Sequence, residues 1–258
     1  MAAIRSAFSV AGDGPALFMI HGIGARRATF DPMVNGLRDC FTCITYDMRG
    51  LGLSPLPDGY FNLADLVEEL EALRLRLGID RAHFAGHSLG GQIGPAYARR
   101  YPDRELSLGL WSTAALRNED DSAKVKGVVA ATREKGIPAV LDTLTARWFT
   151  DAFCVSHPEV IDWRKKQVID TPPDVFLKVF EIFAGVETGP WLHQIAAPTQ
   201  IITGENDGCC NLRLNQLTQQ AIEGSELEIL PELKHAIFIE ATDQLLPHVR
   251  RFQLSQPG

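Results

Sequence analysis

Short apolar runs of strand length recur at 16–20, 41–46, 82–85, 106–110, 199–203 and 226–230, each closed by turn residues and usually followed by a helical pattern. An unbroken apolar run fits a strand covered on both faces, and strands of that kind alternating with helices build a parallel sheet between helical layers. The chain is therefore read as α/β. Its 258 residues allow one large domain, or a core carrying a sizeable insertion, without requiring two unrelated domains.

The clearest helix is predicted over 63–77, where Leu63, Leu66, Val67, Leu70, Leu73 and Leu77 recur at spacings of three and four as one apolar stripe. Asn62 is its N-cap, Asp65 and Glu68 complement the dipole near the start, Arg74 and Arg76 near the end, and Gly78 stops it. Further helices are expected at about 89–100, 211–222 and 243–254, the first kinked at Gly94-Pro95 by the missing amide donor. Between 117 and 190 the alternation breaks down into helical patterns at 125–134, 138–148, 160–169 and 173–183, with no buried strand. This segment is read as a helical cap inserted into a core of 1–116 and 191–258. Most of its aromatics, Trp148, Phe149, Phe153, Trp163, Phe176, Phe180 and Phe183, are expected to pack the cap onto the core.

A net charge of −7, with no long basic run, argues against nucleic acid as a partner. The N-terminal residues lack the apolar core of a signal peptide and no stretch of 18 or more apolar residues is present, so a cytoplasmic protein without membrane association is expected. The five cysteines, Cys40, Cys43, Cys154, Cys209 and Cys210, are odd in number and scattered, and vicinal Cys209-Cys210 makes a poor structural disulfide, so reduced thiols are expected. A metal site built from His21, His87, His235 and the cysteines is disfavoured because Cys40-Phe41-Thr42-Cys43 stands alone, with no helical His spacing beside it. No metal and no cofactor are expected.

The chemistry concentrates at Gly86-His87-Ser88-Leu89-Gly90, a G-x-S-x-G sequence between an expected strand and an expected helix. A sharp strand-to-helix turn holds the central side chain clear of the sheet, and flanking glycines remove Cβ atoms that would collide. Ser88 is thereby the candidate nucleophile. A serine hydroxyl needs a base, and the base needs a partner that fixes its tautomer. His235, in the loop after 226–230, and Asp207, in the loop after 199–203, follow in the chain order Ser88, Asp207, His235, at the strand ends where open α/β sheets bind ligands. The oxyanion donors are expected to be the Leu89 amide, at the helix start, and the Ile23 amide in the loop His21-Gly22-Ile23-Gly24, with His21 bracing that loop.

At these residues the sequence resembles the α/β-hydrolase superfamily over essentially its whole length, and within it the small capped esterases and lactonases. His21-Gly22-Ile23-Gly24 is similar to the family's oxyanion loop, Tyr46-Asp47-Met48-Arg49-Gly50-Leu51-Gly52-Leu53-Ser54 to its D-x-R-G-x-G-x-S loop, Gly86–Gly90 to its nucleophile elbow, and Gly204-Glu205-Asn206-Asp207 to its acid loop. The resemblance implies an α/β-hydrolase fold, a mostly parallel central sheet flanked by helices with an inserted cap. It gives Asp47 and Arg49 a structural role. The segments Arg147-Trp148-Phe149 and Val168-Ile169-Asp170-Thr171-Pro172 resemble 3-oxoadipate enol-lactonases, whereas His21-Gly22 is the commoner esterase form and Gly208-Cys209-Cys210 departs from the pattern.

The reading is a cofactor-independent serine hydrolase acting on a small carboxylic ester or lactone through an acyl-enzyme. Carbon–carbon bond hydrolysis and peracid formation use the same residue types, and a triad-bearing ligand receptor with slow hydrolysis is the non-enzymatic alternative. Trp111, Trp148 and Phe149 are expected to wall the substrate site, and Arg26, Arg27 or Arg147 to pair with a substrate carboxylate. The oligomeric state is open, a homodimer included.

Overall fold

A computed structural model describes residues 4–256; residues 1–3, part of the stretch read for a targeting signal, lie outside them. Seven strands, β1 (Phe8–Ala11), β2 (Ala16–Ile20), β3 (Thr42–Tyr46), β4 (Ala82–His87), β5 (Glu105–Trp111), β6 (Thr199–Gly204) and β7 (Glu226–Leu230), form one sheet in the order β1-β3-β2-β4-β5-β6-β7. Every pairing is parallel except β1 on β3, where Phe8 lies opposite Tyr46. The strand β1 was not anticipated. It is an outer strand whose residues are largely exposed, so it lacks the apolar run that marks the others.

Both faces of the sheet are covered, as the unbroken apolar runs require. Along β2, Phe18 and Ile20 join the core beneath α2 (Leu63–Arg76) and α3 (Gly90–Arg100), while Leu17 and Met19 join the opposite core beneath α1 (Asp31–Leu37) and α11 (Thr242–Leu254). This is the strand's two-residue alternation with apolar partners on each side. Asn62 caps α2 as expected, its side chain accepting from the amides of Ala64 and Asp65. Helix α3 begins at Gly90, a residue later than expected, and carries Pro95 inside it.

Between β5 and β6 the chain forms α4 (Glu119–Lys135), α5 (Ile137–Trp148), α6 (Asp151–Ser156), α7 (Pro158–Ile169) and α8 (Pro173–Gly185). Helix α6 was missed. Six residues do not complete two turns, so no periodic stripe can develop, and only the Thr150 cap accepting from the Phe153 amide marks its start. Two further helices follow β6 and β7, α9 (Leu212–Ala221) and α10 (Ile237–Glu240). No helix among the described residues is long and apolar enough to cross a membrane.

The chain runs outward from β2 to β3 in one direction and from β4 through β7 in the other. The strand order therefore reverses at β2 and β4, where Ile20 pairs with Gly86. Loops leaving the carboxyl ends of two such strands diverge and open a crevice. Here those loops are 21–26 and 88–89.

Candidate active site

Ser88 has φ +56°, a left-handed conformation that a non-glycine residue adopts only when its surroundings impose it. The constraint is visible on both sides. A Cβ on Gly86 would lie 2.1 Å from the Gly90 carbonyl oxygen, and one on Gly90 would lie 2.1 Å from that of Ile20. The Ser88 amide donates to Trp111 O at 3.0 Å and Ser88 O accepts from the Gly91 amide at 2.9 Å. The turn is thus pinned to β5 and to the first turn of α3, with Leu89 at the helix start, where amides lack intrahelical acceptors.

The acid and the histidine come from neighbouring loops stitched together by their backbones, Glu205 N–H donating to Leu230 O and Asn206 N–H to Leu233 O. Asp207 is buried with both oxygens engaged. Oδ1 accepts from the amides of Cys209 (2.7 Å) and Cys210 (2.8 Å), and Oδ2 accepts from His235 Nδ1 at 2.8 Å. With Nδ1 donating, the imidazole lone pair is at Nε2. The second histidine, His87, packs its ring 4.6 Å from that of His235 and donates from Nε2 to His235 O at 3.0 Å. Burial holds the His87 pKa well below the ordinary value, so it stays neutral.

On the other side of the crevice, His21 accepts from the Met48 amide at Nε2 and donates from Nδ1 to Gly22 O at 2.9 Å. Gly22 O also accepts from the Ala25 amide. Because a trans peptide sets C=O and N–H antiparallel, these contacts turn the Ile23 amide away from His21. Asp47 ties the adjacent loop, accepting from the Arg27 amide (2.7 Å) and the Leu53 amide (3.0 Å), and Arg49 pairs with Glu69 in full burial.

Ser88 and His235 line one cavity of about 60 Å³ together with Gly22, Ile23, Ala25, His87, Cys209, Ala236, Phe238 and Ile239. From the helices between β5 and β6 come Leu144, Trp148, Arg164, Phe176, Phe180 and Phe183. Backbone contacts join the two parts, the Ala236 amide donating to Trp148 O at 2.8 Å. Beyond Ser88 and the two histidines the wall is largely apolar, with one charged side chain. Arg164, only 6% exposed, donates from Nη1 to Gly24 O (2.7 Å) and from Nη2 to Ile23 O (3.0 Å), and its guanidinium lies over the Trp148 ring at 4.6 Å. No carboxylate pairs with it among the described residues. Burial, with Arg26 nearby, pulls its pKa down to about 9, leaving a cation at neutral pH.

Of the residues expected to bind substrate, Trp148 lines the cavity and the others do not. Trp111 is fully buried in the core beneath α1 and α11, edge-on to Phe30; a strand residue alternates faces, and this position faces away from the crevice. Phe149 is buried against Phe153. Arg26 donates to Gln167 O and lies 3.8 Å from Asp170, and Arg27 pairs with Asp47. Arg147 lines a neighbouring cleft with Arg117, Asp121 and Lys124. The missed residue is Arg164. It sits in Arg164-Lys165-Lys166, which reads as a solvated basic run, yet Ile161, Arg164 and Val168 share one helical face, and that spacing was the available signal. Phe176, Phe180 and Phe183, expected as packing, also face the cavity.

A family model described as alpha/beta hydrolase fold matches residues 15–147. The 3-oxoadipate enol-lactonase 2 of Acinetobacter baylyi is 28% identical over 228 residues, 88% of this chain and 84% of the relative. Among solved structures, the enol-lactonase from Burkholderia xenovorans superimposes with a TM-score of 0.90 at 25% identity, covering 98% of this chain and 99% of that one. A thermophilic esterase from Thermogutta terrifontis, at 24% identity and TM-score 0.87, covering 96% and 92%, shares the fold.

Proposed function

The chain belongs to the alpha/beta hydrolase fold family, and from that premise we propose that it is a carboxylic ester or lactone hydrolase working through an acyl-enzyme. Ser88 Oγ attacks the carbonyl carbon as His235 Nε2 takes its proton; Asp207 holds the imidazole in the tautomer that leaves Nε2 free. The amides of Leu89 and Ile23 receive the oxyanion. His235 then returns its proton to the leaving alkoxide and deprotonates the water that releases the acid. The observation that carries this reading is the buried Asp207–His235 hydrogen bond opening onto the same cavity as the strained Ser88.

A substrate with its own carboxylate fits best. A buried guanidinium without an anionic partner is costly, and a ligand anion supplies the missing charge beside the reacting centre. The names of the enol-lactonase relatives support a lactone, and the small apolar cavity supports a short acyl group. Ser88→Ala tests the reading: turnover of p-nitrophenyl acetate should fall by about 10⁴-fold or more with the melting temperature retained. Unchanged turnover overturns it.

A further inference from the structure

The side chain of Cys210 has no part in that mechanism, yet it is fully buried against its centre. Its Sγ, a carboxylate oxygen of Asp207 and a ring nitrogen of His235 all lie within 4.8 Å of one another. Zinc-type bonds of about 2.0–2.3 Å place tetrahedral donors roughly 3.3–3.8 Å apart, so one ion parts the 2.8 Å Asp207–His235 pair by roughly half an ångström and draws in a donor lying as far as 4.8 Å away by on the order of an ångström. The donors are also supported as ligands usually are. The Cys210 amide is held by Asp207 Oδ1, and its carbonyl accepts from Asn215 Nδ2 at 2.7 Å. Of the residues around the three donors, His235 and Cys209 line the catalytic cavity, and Asp207 and Cys210 are buried beside them.

We propose that Asp207, Cys210 and His235 form an inhibitory site for a thiophilic divalent cation, Zn²⁺ or Cd²⁺, with a cavity water as fourth ligand. This departs from the sequence expectation of no metal. The nitrogen turned toward Asp207 is Nδ1, and it binds the cation in place of its proton. The neutral imidazole then carries that proton at Nε2, the thiol becomes a thiolate, and one proton per ion leaves to solvent. An Nε2 that bears hydrogen cannot accept the Ser88 proton. The cation thus disables the base without touching the nucleophile, a consequence that rests on the hydrolase reading, whereas binding itself does not.

The test titrates cadmium chloride into the purified enzyme, following the ultraviolet Cd–thiolate band and p-nitrophenyl acetate turnover. One ion per chain should raise the band as turnover falls, with EDTA restoring activity. Cys210→Ser, or Cys210→Ala should the first not fold, should weaken binding roughly 10–100-fold or more and lose the inhibition, measured against its own turnover, whereas Cys209→Ser should keep both. Ser88→Ala should still develop the band, which separates failure of the metal site from failure of the hydrolase reading. In the wild type, ¹H–¹⁵N NMR of His235 should show the proton moving from Nδ1 to Nε2. Absence of the band, equal inhibition of a Cys210 variant, or a proton that stays on Nδ1 overturns the proposal.

Discussion

At the scale of single residues, Arg164 does two jobs that one experiment can separate. Its guanidinium fixes the carbonyls of Ile23 and Gly24, and it is the buried charge of the cavity. Arg164→Gln should lower kcat/KM for neutral and anionic esters alike through the loosened loop. It should lower the anionic one by a further 10–100-fold or so, since a hydrogen bond to a charged group is worth about 1.5–3 kcal/mol. The ratio of the two kcat/KM values is therefore the measurement, and an unchanged ratio removes Arg164 from substrate recognition. Ser88, Asp207 and His235 stood out in the sequence as candidates because each follows a strand in a short loop. Arg164 was hidden because charge patterning alone cannot tell a solvated basic run from a cation held under a roof of other helices.

Secondary elements meet at the site only because certain residues have no side chain. A Cβ on Gly204, at the end of β6, would lie 2.2 Å from the Lys234 carbonyl oxygen and 2.4 Å from that of Leu233. Those are backbone atoms of the loop that carries His235. Gly204→Ala should therefore destabilise by about 3 kcal/mol in urea unfolding and depress turnover further than the lost stability explains. Gly127, exposed in the interior of α4 with nothing within 4 Å of an added Cβ, gives the opposite sign. Gly127→Ala should stabilise by about 0.5–1 kcal/mol without altering turnover. Equal effects of the two substitutions would show that close approach is not what selects glycine at 204. At this scale β1 is too exposed and α6 too short to carry a periodic signal: β1 forms by pairing with β3, and α6 is one short run started by the Thr150 cap.

For the molecule as a whole, buried histidines tie stability to pH. Burial lowers the pKa of His21, His83 and His87, that of His83 to about 4. Each is neutral in the fold but protonates in the unfolded chain below about 6.5, so the unfolded state binds more protons and stability falls as pH drops through the window from 6.5 toward 4. His83, hydrogen-bonded to Ser107 Oγ at 2.9 Å, contributes a slope of up to about 1.4 kcal/mol per pH unit there. Glu105 acts in the other sense, since burial raises its pKa well above the ordinary value and its carboxyl oxygens have no hydrogen-bond partner among the described residues. The readout is therefore a difference: the stability of wild type minus His83→Gln should shrink as pH falls from 6.5 to 4.5, and a constant difference would exclude His83 as a contributor.

The sequence by itself determined the succession of the buried strands along the chain, the longer helices between them, and the strand ends at which Ser88, Asp207 and His235 stand, because these follow from apolar periodicity and local turn chemistry. The tertiary structure alone decided which cation lies in the cavity, that Trp111 belongs to the core rather than the pocket, and that Cys210 sits against the Asp207–His235 pair. Those outcomes depend on how helices from the middle of the chain and loops from its end pack onto the sheet. Burial of that kind is a property of neighbours distant in sequence, and no window of consecutive residues contains it.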